Sequence, residues 1–455
     1  MNSLFESTAD GRASRRGSRA IDKSDIKAPV LLVLVILTIS SAILFGGSPN
    51  IPGWKLSVIL ILSCLVAVFA VLQDGLSELR RLGFLPKLFL VLLLALPLIQ
   101  VIPLPPSIWM QFPGRDVQQQ VFELIGADNQ WHSISLNPTE TLFVLVCLFP
   151  PAAIFLAALK FNSTELRLVI IAVVLLALIS TIVGLFQFST NGGVFNFYNS
   201  SHKRFLVGFF ANRNHQGLFI AISLALAINL VFQFSKSRAM ALSVSGLVAF
   251  FCVGVTVATA SRAGFFLAIL SAILAVLANT GAGIKPRRSI SILLLAGVAF
   301  FLLFQSIGLV FENVIERYST ISEDLRWEFW EQSAMIIAHY FPVGTGLGTF
   351  VPIYQQFEPL EAIVPVYANH VHNDYYELVL ETGIGGVIVL ASLIAALLQA
   401  GLQMRLSAPS KTRIVSFVIL ILCLLHSVVD YPLRTQAIAV LFALCLAIIV
   451  KRPAR

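Results

Sequence analysis

Residues 167–186 read RLVIIAVVLLALISTIVGLF, and after the arginine no charged side chain interrupts the run as far as Phe186. A helix of this length spans about 30 Å, the thickness of the hydrocarbon core of a bilayer. Comparable apolar runs precede it at 28–46, 56–73, 85–103 and 141–159. Others follow at 214–233, 239–260, 264–279, 289–311, 383–401, 414–429 and 436–450. The pattern predicts an all-α polytopic membrane protein with about 12 transmembrane helices over residues 28–455. Residues 1–27 are polar and basic and read as a disordered cytoplasmic tail, not a signal peptide. Composition points the same way: the 455 residues are 57% hydrophobic and only 12% charged, against about 25% charged in soluble domains. That excludes a multidomain soluble enzyme, and the hydrophobicity excludes a disordered chain. Cys64, Cys147, Cys252, Cys423 and Cys445 all fall in apolar runs. They read as small buried hydrophobes, with no disulfide framework and no metal-type spacing.

The net charge of +8 reports topology rather than affinity for nucleic acid. With the N-terminus inside, 22 of the 31 Lys and Arg residues fall in the tail, the C-terminus and the alternate loops between them. The positive-inside rule therefore predicts that both termini are cytoplasmic. Three long stretches, about 104–140, 187–213 and 312–382, then face outward, and the last holds 11 of the 23 acidic residues. Within it Trp327, Trp330, Ala334, Ile337 and Phe341 recur at helical spacing, which predicts an amphipathic helix on the membrane surface. All seven histidines map to the outer loops or outer helix ends, and the inner loops have no Gly-x-x-x-x-Gly-Lys-Ser/Thr nucleotide cradle. Chemistry on that face has no ATP supply, so its substrate must arrive activated, as a lipid-linked phosphate ester does.

Four constellations carry chemistry. Lys203 and Arg204 precede Gly208, Asn212, Arg213, Asn214 and His215 at the start of a helix. Cations and amides at a helix N-terminus favour an anion. A snorkelling interfacial cluster is the structural alternative, but three cations on the outer side run against the positive-inside bias. Ser261-Arg262-Ala263-Gly264 forms a hairpin between two apolar helices, where an arginine is costly without a partner or a function. Gly344-Thr-Gly346-Leu-Gly348 superficially resembles a nucleotide loop, but it does not open a Rossmann unit and reads as a tight turn. His370-Val-His372-Asn373-Asp374 runs into a helix on which Asn373, Glu377 and Glu381 form one stripe, directed at a common pocket. A neutral imidazole oriented by a carboxylate suits general-base work. On a helix His370 would point about 200° away from His372. The familiar zinc spacings are absent, so neither a metal nor a cofactor is expected.

Together these residues resemble the O-antigen ligase/polymerase family of bacterial membrane glycosyltransferases. His372-Asn373, nine residues, then Gly383 is similar to the family's His-Asn/Ser/Gln-x9-Gly signature at the end of the large periplasmic loop. Trp327, the turn from Gly344 to Phe350, and Tyr354 resemble the approach to it. Arg204, Gly208, Phe210, Asn212 and Asn214 resemble the family's Arg…Gly-x-Phe-x-Asn-Pro-Asn segment. Arg213 replaces the common proline and competes with Arg204 for the arginine role. Ser261-Arg262 is similar to the second arginine site. The likeness covers roughly residues 165–435 and includes the 312–382 loop.

The resemblance implies a GT-C-like fold in the inner membrane with its active site facing the periplasm. It also implies transfer of a glycan from undecaprenyl diphosphate to a lipid A core (lipopolysaccharide ligation) or to another glycan (O-antigen or exopolysaccharide polymerisation). His372 would be the base, and Arg262 with Arg204 or Arg213 would bind the diphosphate. Asn373, Glu377 and Glu381 would support them. The implied partners are the lipid-linked donor, the acceptor, membrane lipids and, for a polymerase, a chain-length regulator. The alternative is a membrane transporter of a small solute or anion. Transporters place ionisable groups near the midplane, whereas the span cores here lack acids.

Overall fold

The computed structural model describes residues 23–127, 129–198, 200, 202–281, 322–359 and 368–452. Helices α1 (Lys23–Phe45), α2 (Gly53–Leu72), α3 (Gly75–Arg81) and α4 (Phe84–Gln100) open the bundle. A loop region with α5 (Pro106–Trp109), α6 (Asp116–Leu124) and a two-residue ladder, Pro103–Leu104 against His132–Ser133, leads to α7 (Pro138–Cys147) and α8 (Phe149–Ala158). The bundle continues with α9 (Ser163–Ser189), α10 (Arg213–Phe234), α11 (Arg238–Ala258) and α12 (Arg262–Thr280). After these come α13 (Ser322–Tyr340), α14 (Phe350–Phe357) and α15 (Asp374–Thr382), then α16 (Ile384–Leu406), α17 (Lys411–His426) and α18 (Gln436–Val450). Of the expected spans, 289–311 lies outside the described residues, as does nearly all of the 1–27 tail; the other spans all coincide with helices. By length and composition, seven described helices or helix pairs are apolar enough to cross a membrane, or eight if α3 and α4, bent by 117°, count as one span. The chain is a multi-pass membrane protein. Pro29–Phe45 and α18 are apolar but shorter.

Local chemistry sets the helix starts. Asn162 and Glu165 form a reciprocal capping box on α9. Asn137, Asn212, Ser237, Ser261, Asn373 and Ser410 each accept a backbone N–H in the first turn of the helix that follows. Helix α10 is apolar on every side and is buried almost throughout from Asn214 to Leu226, as a central helix must be. It packs against α12 through small residues. A Cβ on Gly217 would lie 2.9 Å from the Gly264 Cα, and Ser271 Oγ donates to the Ala221 carbonyl at 2.6 Å. Small residues let helix backbones approach closely where no water drives them together. Outer-ring side chains such as Leu65, Val68, Leu178, Leu247, Phe250 and Leu402 remain exposed, which suits a surface bathed in lipid. Cys64 joins them: it is exposed, and only Cys423 and Cys445 are fully buried.

The two ends of the bundle differ. One end is basic: Arg413 donates to the Ile449 carbonyl, Lys451 to that of Phe161, Arg238 to that of Thr280 and Lys87 to that of Arg80. The other end gathers the long connections. Gln100 Nε2 donates to the Glu381 carbonyl at 2.9 Å while its Oε1 accepts from Leu347 N at 3.1 Å. Ala211 N and Ala437 N donate to the carbonyls of Gly47 and Gly46.

At this end α13, α14 and α15 build a second, smaller apolar core around Ile336, Tyr340, Ile353, Tyr354, Val371 and Leu380. This changes the expected stripe on α13. Ser333, Ile336 and Tyr340 are the buried face, whereas Trp327 is 68% and Phe341 44% exposed. The periodicity identified an amphipathic helix but placed its buried face about one residue away, because the helix packs on protein.

Candidate functional site

The nine residues between Asn373 and Gly383 are one helix, α15. The Asn373 side chain caps it by accepting from Tyr375 N and Tyr376 N at 3.0 and 3.1 Å. Gly383 ends it at φ +54°, where a Cβ would collide with the Pro342 carbonyl. The spacing of the motif is therefore the length of a capped helix. Just before the cap, His372 adopts φ +55°, a conformation that is uncommon for a non-glycine residue.

That backbone aims His372 at Asp430, in the turn after α17. His372 Nδ1 meets Asp430 Oδ1 at 3.3 Å; the carboxylate is fully buried and the imidazole 20% exposed. The carboxylate that faces His372 is thus Asp430, which the sequence reading did not single out, and not an acid of α15. Asn214 Nδ2 donates to its Oδ2 at 2.6 Å, Asn212 Nδ2 to both oxygens at 3.3 and 3.4 Å, and Tyr431 N to Oδ1 at 2.9 Å. Burial alone would push this carboxyl up, yet the pull of the His215 and His372 imidazoles holds it well below the usual carboxylate range. An ionised acceptor is thus fixed behind His372. The available signal was an acid at the end of an apolar span.

Asn212 and Asn214 flank Arg213, the first residue of α10. The Arg213 guanidinium lies 4.4 Å from the centre of the Phe205 ring, and its backbone N–H donates to His202 Nδ1 at 3.4 Å. Burial, with Arg213 and His372 adding to it and Asp430 opposing, pushes His202 down to about 4, so that imidazole is a neutral acceptor. Arg262 is exposed at the first residue of α12, beyond its Ser261 cap. Because Gly217 and Gly264 touch, the N-termini of α10 and α12 lie side by side, each opened by an arginine. Arg204 is exposed on the loop leading to α10.

The structure separates other expected partners. Residues 370–372 are not helical, so the 200° argument does not apply. Instead His370 Nδ1 pairs with Glu377 Oε1 at 2.7 Å, and its ring packs 4.2 Å from that of Tyr431. Glu377 and Glu381 do not join Asn373 around an open pocket. They converge on Arg434, whose Nη1 is 3.5 Å from Glu377 Oε1 and whose Nη2 donates to Glu381 Oε2 at 2.8 Å. Asp374 Oδ1 lies 3.9 Å from Arg434 Nε. Three buried carboxyl groups share one guanidinium, and the groups diverge. Although burial opposes it, Arg434 and His370 hold Glu377 down at about 2. Burial prevails at Asp374, pushing it up to about 7, and at Glu381, which is also raised.

Glu381 also accepts from Gly348 N at 2.9 Å, and its carbonyl accepts from Gly346 N at 2.8 Å. The Gly344–Gly348 segment is thus a tight turn docked on the end of α15, as the sequence indicated. Among the described residues no three His, Cys, Asp or Glu side chains converge as a metal-binding set.

Residues 247–391 match the O-antigen ligase family model. This segment is similar to the O-antigen ligase domain. The match spans just under a third of the sequence and supports the family resemblance. The domain includes Arg262, His372 and the α15 cap, while Arg213, Asp430 and Arg434 lie outside it. A search of curated proteins finds no match to the chain.

Proposed function

We propose that this O-antigen ligase-domain protein is an inner-membrane glycosyltransferase working at the periplasmic end of its bundle. It moves a glycan from undecaprenyl diphosphate to an acceptor hydroxyl, as an O-antigen ligase or a surface or exopolysaccharide polymerase. The observation that carries the reading is the His372–Asp430 pair, whose carboxylate is held by the two asparagines flanking Arg213.

In this reading Asp430 accepts from His372 Nδ1–H and leaves Nε2 free to take the acceptor's proton. The acceptor oxygen attacks the anomeric carbon as the bond to the diphosphate oxygen breaks, and the electron pair leaves with the diphosphate. The imidazolium formed is stabilised by Asp430, as an oriented carboxylate does for a general base. Arg213 and Arg262 stand at adjacent helix N-termini, where backbone N–H groups and both guanidinium charges favour the departing anion. Arg204, exposed on the approach, contributes to capturing the donor. Glu377 and Glu381 act through Arg434 as the frame that fixes the His372 loop. These cations take the role that a metal ion fills in other diphosphate chemistry.

The test is reconstitution in liposomes with an undecaprenyl-diphosphate-linked glycan, an acceptor and EDTA. Acceptor-dependent transfer with release of undecaprenyl diphosphate is expected. Solute flux without transfer would replace this reading with the transporter. Cysteines introduced at Gln130 and Ser410 of a cysteine-free chain check the topology. Only the first should be labelled from the periplasm.

A further inference from the structure

His215 is fully buried in the third position of α10, and neither ring nitrogen reaches a partner at hydrogen-bonding distance. A buried imidazole without partners is costly, and native proteins rarely tolerate one without a reason. Its Nε2 lies 3.6 Å from Asp430 Oδ1, the oxygen that His372 Nδ1 approaches at 3.3 Å. The Tyr431 ring packs edge-on against both imidazoles, with centroids 5.0 Å from His215 and 4.9 Å from His372. The two histidines thus share one carboxylate oxygen, one from the bundle interior and one from the open side.

We propose that His215 is a positioning residue that sets the basicity of His372 through Asp430. The inference rests on His372 being the base. Facing Asp430 Oδ1 through Nε2, His215 draws charge from that oxygen and limits how strongly the carboxylate stabilises protonated His372. Catalytic contacts of this kind are often long without substrate and tighten in its complex. The other titratable or charged groups facing this cluster are His426 at the end of α17, Tyr431, His370 with its partner Glu377, and His202 and Arg213 on the approach to α10. Of these, Tyr431 shares the Asp430 oxygen with His372, but through its backbone N–H at 2.9 Å, which does not titrate.

The sign follows. Removing the inner donor leaves Asp430 more basic, which favours imidazolium at His372 and raises its titration midpoint. The experiment reads that midpoint without needing turnover. Full-length protein in nanodiscs is treated with diethylpyrocarbonate across pH 5–9, and carbethoxylation of His372 is followed by peptide mass spectrometry. In His215→Phe the midpoint should rise by about one pH unit. His215→Gln, whose amide nitrogen can reach the Nε2 position, should restore it, and His215→Asn, which is too short, should not. The Asn variant also serves if the Phe variant fails to fold.

In transfer assays the acid limb of the rate profile should move by the same amount, with KM for the donor unchanged. An unmoved His372 midpoint in both His215→Phe and His215→Asn overturns the proposal, as does an equal shift in His215→Gln. If the midpoint moves but His372→Ala still transfers glycan, the coupling stands and the base assignment fails.

Discussion

Asp430→Asn keeps the shape of the buried side chain and removes its charge. In the native site the carboxylate accepts from Asn212, Asn214 and Tyr431 and faces His372 Nδ1. An amide offers one oxygen for these donors and points an NH2 at the rest, so at least one contact becomes donor against donor. Two effects separate. Leaving a buried donor unpaired costs about 1–3 kcal/mol, read as a lower Tm of the detergent-purified protein. Losing the oriented partner of the base costs roughly 10²- to 10⁴-fold in transfer rate. The imidazolium also loses its counter-charge, so the residual activity should have its acid limb at lower pH than wild type. A variant with reduced Tm but full rate and an unmoved pH profile would refute the reasoning, because Asp430 would then be only a structural acceptor.

Arg262→Lys should lose much of the transfer activity although charge is kept, since a guanidinium grips phosphate oxygens with two parallel donors and an ammonium does not; equal turnover of Lys and wild-type protein beside an inactive Ala variant would show that charge alone matters. Arg434→Ala strands the Glu377 and Glu381 carboxyl groups that it holds and should destabilise the protein by about 3–5 kcal/mol, measured by chemical denaturation; a Tm within a degree of wild type contradicts the shared-guanidinium frame. Burial pushes Asp374 up to about 7 in the fold, against about 3.9 when unfolded, so the folded state binds the extra proton across that window and stability falls as pH rises through it. Asp374→Asn should therefore flatten the dependence of Tm on pH between about 4 and 7, and an unchanged slope would contradict the assignment.

Much of the bundle was legible because the spans are long apolar runs whose ends carry polar caps. Asn162 with Glu165, and Ser261 ahead of Arg262, mark helix starts through residue type and spacing alone. The His372-Asn373-x9-Gly383 spacing was legible as a motif, and the structure supplies its cause in the cap and terminus of α15. Asp430 and Arg434 were not singled out. They follow α17 in a short turn with no local motif, and their partners Asn214 and Glu381 are 216 and 53 residues away. Periodicity reports what lies along one helix, not which distant loops meet at its end. The same limit hid what Glu377 and Glu381 meet. Their common face was real, but Arg434 fills it.

The central claim is that His372 takes the acceptor's proton, and the paired variants His372→Ala and His370→Ala test it most directly. Both are reconstituted with the lipid-diphosphate donor at matched amounts of folded protein, and initial transfer rates are compared in EDTA. His370 pairs with Glu377 and not with Asp430, so His370→Ala should keep most of the activity. His372→Ala should fall by roughly 10²- to 10⁴-fold. A His372→Ala variant that transfers glycan at the wild-type rate would contradict the account.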